Sequence, residues 1–282
     1  MQTIYDLNQI TDMIKLIKIL LIVLFPILLL GQTLEKVNGV AIADLTKLNN
    51  IEKSTITKRN GIDMPSSFTN AKYFTLNGTD EYADVSSTLD YDAKYTVNSW
   101  FQLASGYADY AAFVILGYGA SSYFQAPLHF AGVNGYIYHS PSTTLKSVVW
   151  NNFDTDWHMY TITRDGTDVK FYIDNSQVGT TQTVPVGEDG LVDYMGKCSG
   201  SSYFNGSLDE IAVWKNVVIT SGQMTGLYGT GTASGCGNSA DISGLTNYWN
   251  FENCATTNIP DEAGSDDMTM QNATTSANIN DH

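Results

Sequence analysis

The 282 residues suffice for one domain of ordinary size with appendages, and 43% apolar against 15% charged residues describes a packed chain, not a disordered one. Net charge is −15, and residues 67–282 carry 23 acidic against seven basic side chains, so this body repels phosphate backbones and nucleic acid is excluded as a partner. With 17 Tyr, 24 Gly and many Thr and Ser, the composition favours strands over helices.

Lys15 and Lys18 precede twelve apolar residues, Ile19 to Leu30. Twelve is too short to span a bilayer and suits a signal-peptide core, with cleavage near Gly31-Gln32; left uncleaved, 1–31 would anchor an extracellular or cell-surface chain. Residues 32–66 carry a repeat: Lys36-Val-Asn-Gly-Val40, Lys47-Leu-Asn-Asn-Ile51 and Lys58-Arg-Asn-Gly-Ile62 recur every 11 residues. Eleven residues suit one kind of helical repeat, but Asn-Gly at a constant phase argues for turns between short strands. Such units bury no core alone. The segment reads as a stalk that assembles a homo-oligomer, or as a linker.

The body begins near Phe68 with edge strands around an Asn77-Gly78 turn. Tyr95 to Leu103 alternates in period two, and Ala111 to Leu116 is a continuous apolar run, as for a strand buried on both faces. Residues 128–130, 135–139 and 145–150 are further short strands. The strongest signal is Asp156 to Thr180, where two alternating strands flank Arg164-Asp165-Gly166-Thr167 and a second turn follows at Asp174-Asn175. Turn signals every eight to twelve residues mark a sandwich or barrel.

Trp157-His158, Thr161 to Gly166 and Tyr172-Ile173-Asp174 resemble the central hairpin of laminin-G-like jelly rolls, in the concanavalin A-like lectin/glucanase superfamily. Phe74 to Tyr82, Tyr95 to Trp100, and Phe204 to Trp214 followed by Ile219 to Tyr228 resemble its opening, core and closing segments in the right order. Asn175 stands where the family usually has Gly, a mild departure because Asn tolerates left-handed backbone. The resemblance implies an antiparallel jelly-roll β-sandwich at 67–232. It also implies a secreted or surface-displayed binding or adhesion module for glycan or protein. Leu245 to Phe251, Pro260 to Gly264 and Met268 to Met270 resemble the strand pair that opens such domains. Here it follows the domain, so 233–282 is expected to complete the sandwich in permuted order, the other reading being the start of a second copy. Asn-Gly-Val repeats ahead of such jelly rolls resemble phage or bacterial surface-fibre components, which makes a fibre subunit the alternative function.

Three cysteines in an exported chain suggest one disulfide. Cys236 and Cys254 flank the join of body and tail and are assigned as the pair, closing a loop worth about 3 kcal/mol; Cys198 is left over. Glucanases of this fold carry Glu-x-Asp-x-Glu on one strand. None of the seven glutamates (35, 52, 81, 188, 210, 252, 262) has Asp two residues on, Asp209 and Glu210 are adjacent and expected on opposite strand faces, and no Gly-x-Ser-x-Gly occurs. The chain reads as non-catalytic. No cofactor is assigned; calcium is the one the acidic residues suggest, through Asp80 and Glu81 or Asp209. Pentraxin-like relatives place such ligands before the closing strand, but Gly196 to Tyr203 has no carboxylate. For Asp209 the simpler reading is a structural hydrogen bond, and for His158 a hydrogen-bonded core position. Tyr107, Tyr110, Tyr118, Tyr123, Tyr136 and Tyr138 are candidates for stacking on sugars, alongside ordinary packing.

Overall fold

The computed structural model describes residues 68–105, 115–119, 136–139, 144–197 and 203–282, together with the backbone of strands at 36–63 and 122–128. The expected signal or anchor segment, Cys198, Tyr107 and Tyr110 lie outside the described residues. Among those described, no helix is long and apolar enough to cross a membrane. The chain forms two compact units, Met1–Ser67 and Phe68–His282.

The first unit carries three two-stranded hairpins: β1 (Lys36–Val37) with β2 (Val40–Ala41), β3 (Lys47–Leu48) with β4 (Ile51–Glu52), and β5 (Lys58–Arg59) with β6 (Ile62–Asp63). Val37 pairs with Val40, Leu48 with Ile51 and Arg59 with Ile62, leaving two residues per turn. The eleven-residue period is therefore one of short antiparallel strand pairs.

The second unit is two antiparallel sheets. Its strands are β7 (Lys72–Asn77), β8 (Tyr82–Asp90), β9 (Lys94–Leu103), β10 (Leu116–Tyr118), β11 (Ser122–Leu128), β12 (Tyr136–His139), β13 (Lys146–Val149), β14 (Trp157–Asp165), β15 (Asp168–Ile173), β16 (Ser176–Thr183), β17 (Leu191–Met195) and β18 (Asn205–Lys215). Helix α1 (Ser221–Tyr228), β19 (Asn247–Trp249), β20 (Asn258–Ile259), β21 (Met268–Gln271), α2 (Thr275–Asn278) and β22 (Ile279–Asp281) follow. One sheet runs β16-β15-β14-β9-β18-β7-β22, with β19 also on β18; the other runs β13-β12-β11-β10-β17-β8-β21-β20. Tail residues thus enter both sheets: β19 pairs with β18, β22 with β7 and β21 with β8.

Two apolar clusters result. Phe74, Val97, Phe101, Tyr160, Ile162, Phe171, Leu208 and Val213 of one sheet pack on Ala83, Leu116, Val192 and Met195 of the other, with Trp249 and Phe251 from the tail. Trp100, Met159, Ala212 and Trp214 point the opposite way and are covered by Met224 and Leu227 of α1 and by Ile242 and Tyr248. Strands β9, β14 and β18 are consequently buried on both faces. Helix α1 is set by a capping box in which Gln223 N donates to Thr220 Oγ1 at 3.2 Å and Thr220 N donates to Gln223 Oε1 at 2.8 Å. Between β15 and β16, Asp174 (φ 50°) and Asn175 (φ 63°) form the two centres of a primed hairpin turn.

The expected disulfide is absent: Cys236 and Cys254 are both free thiols. Cys236 packs against the cluster under α1, whereas Cys254 packs against the inter-sheet core. A disulfide needs Cα atoms within about 7 Å and converging Cβ vectors, and sulfurs committed to different cores do not meet that need. Sequence proximity to the body–tail join said nothing about which side of the sheet each thiol takes.

Candidate functional site

The acidic residues singled out in the sequence make hydrogen bonds within the fold. In the turn after β7, Asn77 Oδ1 accepts from Thr79 N at 2.8 Å and Asp80 N at 3.2 Å, Asn77 Nδ2 donates to Asp80 Oδ1 at 2.9 Å, and Asn77 N donates to Glu81 Oε2 at 2.8 Å. These carboxylates close a turn. His158 is held by Asp174 Oδ2 at 2.7 Å and Asp154 Oδ1 at 3.0 Å, with its ring 5.1 Å from that of Trp150. Burial by itself lowers the His158 pKa, but the two carboxylates outweigh it and the net shift is upward.

Asp209 and Glu210 do not face opposite ways. A bulge interrupts the β18–β9 register between Asp209 and Ala212, and Glu210 adopts φ 50°. The extra residue turns both carboxyl groups to the α1 side. Asp209 Oδ2 accepts from Asn70 Nδ2 at 2.5 Å and meets His282 Nε2 at 2.9 Å, while Tyr248 OH donates to Glu210 Oε2 at 2.5 Å. Burial, then the neighbouring acid, holds Glu210 well above the usual carboxylate range; burial does the same for Asp209 and for the nearby Cys236 thiol. Asp209 and Glu210 are 0% and 1% exposed, so no substrate reaches them.

Among the described residues, one trio of carboxylates, Asp90, Asp92 and Asp189, has its oxygens within 4.8 Å of one another. Lys215 already serves it as counter-ion, with Nζ 3.0 Å from Asp92 Oδ2 and 2.9 Å from the Asp90 carbonyl.

The second sheet carries a different feature on its outer face. Along β8, Ala83 points into the core and Tyr82 and Asp84 point out. On β17 a register shift between Val192 and Tyr194 sets Asp193 and Tyr194 on the same outer side, with Tyr194 across from Asp84. Tyr203 joins them through an isolated bridge to Lys197. The Tyr82 ring centroid lies 5.8 Å from Tyr194 (edge-on, 81°) and 6.0 Å from Tyr203 (46°). All three tyrosines are half-buried and belong to neither apolar cluster. On the opposite sheet Tyr73 and Trp157 also meet edge-on at 5.4 Å, but Trp157 packs against the cluster under α1.

A family model described as the concanavalin A-like lectin/glucanases superfamily matches residues 77–221, just over half of the chain. The chain belongs to this superfamily. One solved structure agrees on the fold. A candidate carbohydrate-binding protein from Bacteroides ovatus superposes with TM-score 0.56 at 15% identity, covering 77% of this chain. The chain spans only 61% of that protein. Domain 4 of AbnA, an extracellular arabinanase from Geobacillus stearothermophilus solved with arabinotriose, gives TM-score 0.42 at 16% identity over 57% of this chain and 82% of its own. A mouse laminin α1 fragment gives 0.38 at 12% identity over 52% and 41%. No curated protein sequence matches the chain.

Within this lectin-like domain, none of the tyrosines proposed from sequence belongs to the outer-face trio. Tyr118 and Tyr136 are half-buried on β10 and β12, and Tyr123 and Tyr138 are described as backbone of β11 and β12. The signal in the strand patterns reaches only part of the trio. Tyr82 adjoins the small inward Ala83 and so faces outward by alternation, whereas alternation from inward Val192 points Tyr194 inward and only the register shift turns it out.

Proposed function

We propose that residues 68–282 form a non-catalytic glycan-binding module of an exported or surface-displayed protein, stacking sugar rings on Tyr82, Tyr194 and Tyr203. One observation carries this reading: three half-buried tyrosines stand together on a sheet face and contribute to neither core. Aromatic faces cover apolar sugar faces, while polar groups beside them fix orientation. Asp84, Gln271 and Asp193 supply that polar rim. The sealed Asp209–Glu210 pair supports the absence of catalysis, and the surface invokes no cofactor. Export rests on the apolar segment 19–30 and its preceding lysines.

The test is binding of the full chain to a broad glycan panel, with calcium and with chelator. Calcium-independent binding is expected, weakened about fivefold in Tyr82→Ala or Tyr194→Ala, roughly 1 kcal/mol per ring. No binding in either buffer, or binding indifferent to the double variant, refutes the reading.

The three matched hairpins favour a second reading, a fibre or virion subunit assembled through 32–66. Light scattering after gel filtration decides it: stable oligomers that vanish on deletion of 32–66 support assembly, and a monomeric full chain refutes it.

A further inference from the structure

The tyrosine surface is unbalanced in its hydrogen-bonding groups. Its carboxylates are partly engaged within the protein. Asp84 Oδ1 accepts from Gln271 Nε2 at 3.0 Å, and Asp193 accepts from Thr88 Oγ1 at 2.6 Å and from Gly119 N at 2.9 Å. Its donors are uncommitted. Lys197 Nζ lies 3.9, 5.0 and 5.5 Å from the ring centroids of Tyr82, Tyr194 and Tyr203. Among the described residues no carboxylate pairs with this ammonium, and none of the three phenol hydroxyls hydrogen-bonds to another described group.

An ammonium held by ring faces keeps its full charge and its N–H donors, because a π quadrupole attracts a cation without accepting its protons in strong hydrogen bonds. Lys94 and Lys215, by contrast, are paired with Asp165 and Asp92. A bare lysine between three phenols, on a body with 23 acidic residues, is a local donor field in an otherwise repulsive surface. A neutral sugar offers hydroxyls that can use either donors or acceptors. A carboxylate or sulfate adds a negative charge, which an ammonium without a carboxylate partner holds more strongly than it holds a hydroxyl.

Resting on the glycan reading above, we propose that this surface selects sugars bearing an anionic substituent, a uronate carboxylate or a sulfate ester. Lys197 pairs with the anion while the tyrosines cover the ring. Lys197 acts as a specificity residue: it discriminates among sugars that the tyrosines alone accept.

The experiment is NMR of the full chain carrying 13C-labelled lysine and tyrosine, titrated separately with methyl glucuronoside, its neutral methyl ester and glucose 6-sulfate. The Lys197 ε-methylene is assigned by its loss in Lys197→Arg. The expected result is half-saturation by the glucuronoside at about tenfold lower concentration than by its ester, equivalent to about 1.4 kcal/mol. Lys197→Met abolishes that difference, and Lys197→Arg retains the preference. Response to the sulfate as well supports recognition of any anion; response to one alone supports the proposal and names the source. Equal response to acid and ester overturns the anion preference and leaves stacking intact. Tyrosines that respond to no sugar overturn both.

Discussion

Trp249→Ala measures how far the tail belongs to the domain. Trp249 is 0% exposed, sits in the inter-sheet core, and donates from Nε1 to the Asp266 carbonyl at 3.1 Å. Removing a buried indole costs about 3–5 kcal/mol in transfer and cavity terms. Orphaning the Asp266 carbonyl adds roughly 1 kcal/mol. The sum, about 4–6 kcal/mol, is a large share of the 5–15 kcal/mol typical of a whole domain. At about 2–4 °C per kcal/mol for this size, Tm falls roughly 10–20 °C. Trp249→Phe keeps most of the volume and loses the donor, so its cost is about 1–2 kcal/mol. Scanning calorimetry with urea melts followed by circular dichroism reads both. Alanine and phenylalanine variants within about 0.5 kcal/mol of the parent would show that the tail stabilises nothing. A soluble, equally stable protein lacking 240–282 would say the same.

Four further outcomes are expected. Glu210 keeps its proton to higher pH when folded, so its stabilising contribution is complete below about pH 4 and is lost as pH rises through the raised value; Glu210→Gln is more stable than the parent at pH 8, and urea melts across pH show the gap closing in acid. His158, whose folded pKa is also raised, contributes below its ordinary value near 6.5 and less as pH rises; His158→Gln loses roughly 1–2 kcal/mol at pH 5 and little at pH 9 in the same melts. A Cβ on Gly206 (φ 150°) would lie 2.1 Å from the Gln102 carbonyl oxygen, so Gly206→Ala costs about 2–4 kcal/mol by chemical denaturation. In denaturant without reductant, iodoacetamide labels both Cys236 and Cys254, as mass spectrometry of the digest will read; a Cys236–Cys254 linked peptide refutes the free-thiol assignment. In the native protein labelling is slow, since burial raises both thiols, Cys254 to about 12.

What the sequence determined about this protein is what depends on neighbours along the chain. Asp165-Gly166 and Asp174-Asn175 dictate the two turns around β15, and the alternation of Tyr160 and Ile162 with Met159 and Thr161 dictates a strand there, whatever surrounds it. Asn-Gly at one phase of the repeat likewise dictates hairpins locally. Even so, the pairing of Asp165 with Asp168 centres the first turn on Gly166-Thr167, one residue on from Asp165-Gly166. The tertiary structure decided everything that depends on which face meets what. The alternating pattern of β14 implied one wet face, but α1 and the tail cover it, so Thr161 and Met159 are as buried as Tyr160. Strand alternation put Asp209 and Glu210 on opposite sides, and a bulge opposite Ser99 brought them together. Proximity to a join suggested a disulfide, and a sheet between two cores kept the sulfurs apart. The tyrosine surface follows the same logic. Tyr82, Tyr194, Lys197 and Tyr203 become neighbours only when β8 pairs with β17, because a surface assembled across strands leaves no contiguous trace along any one of them.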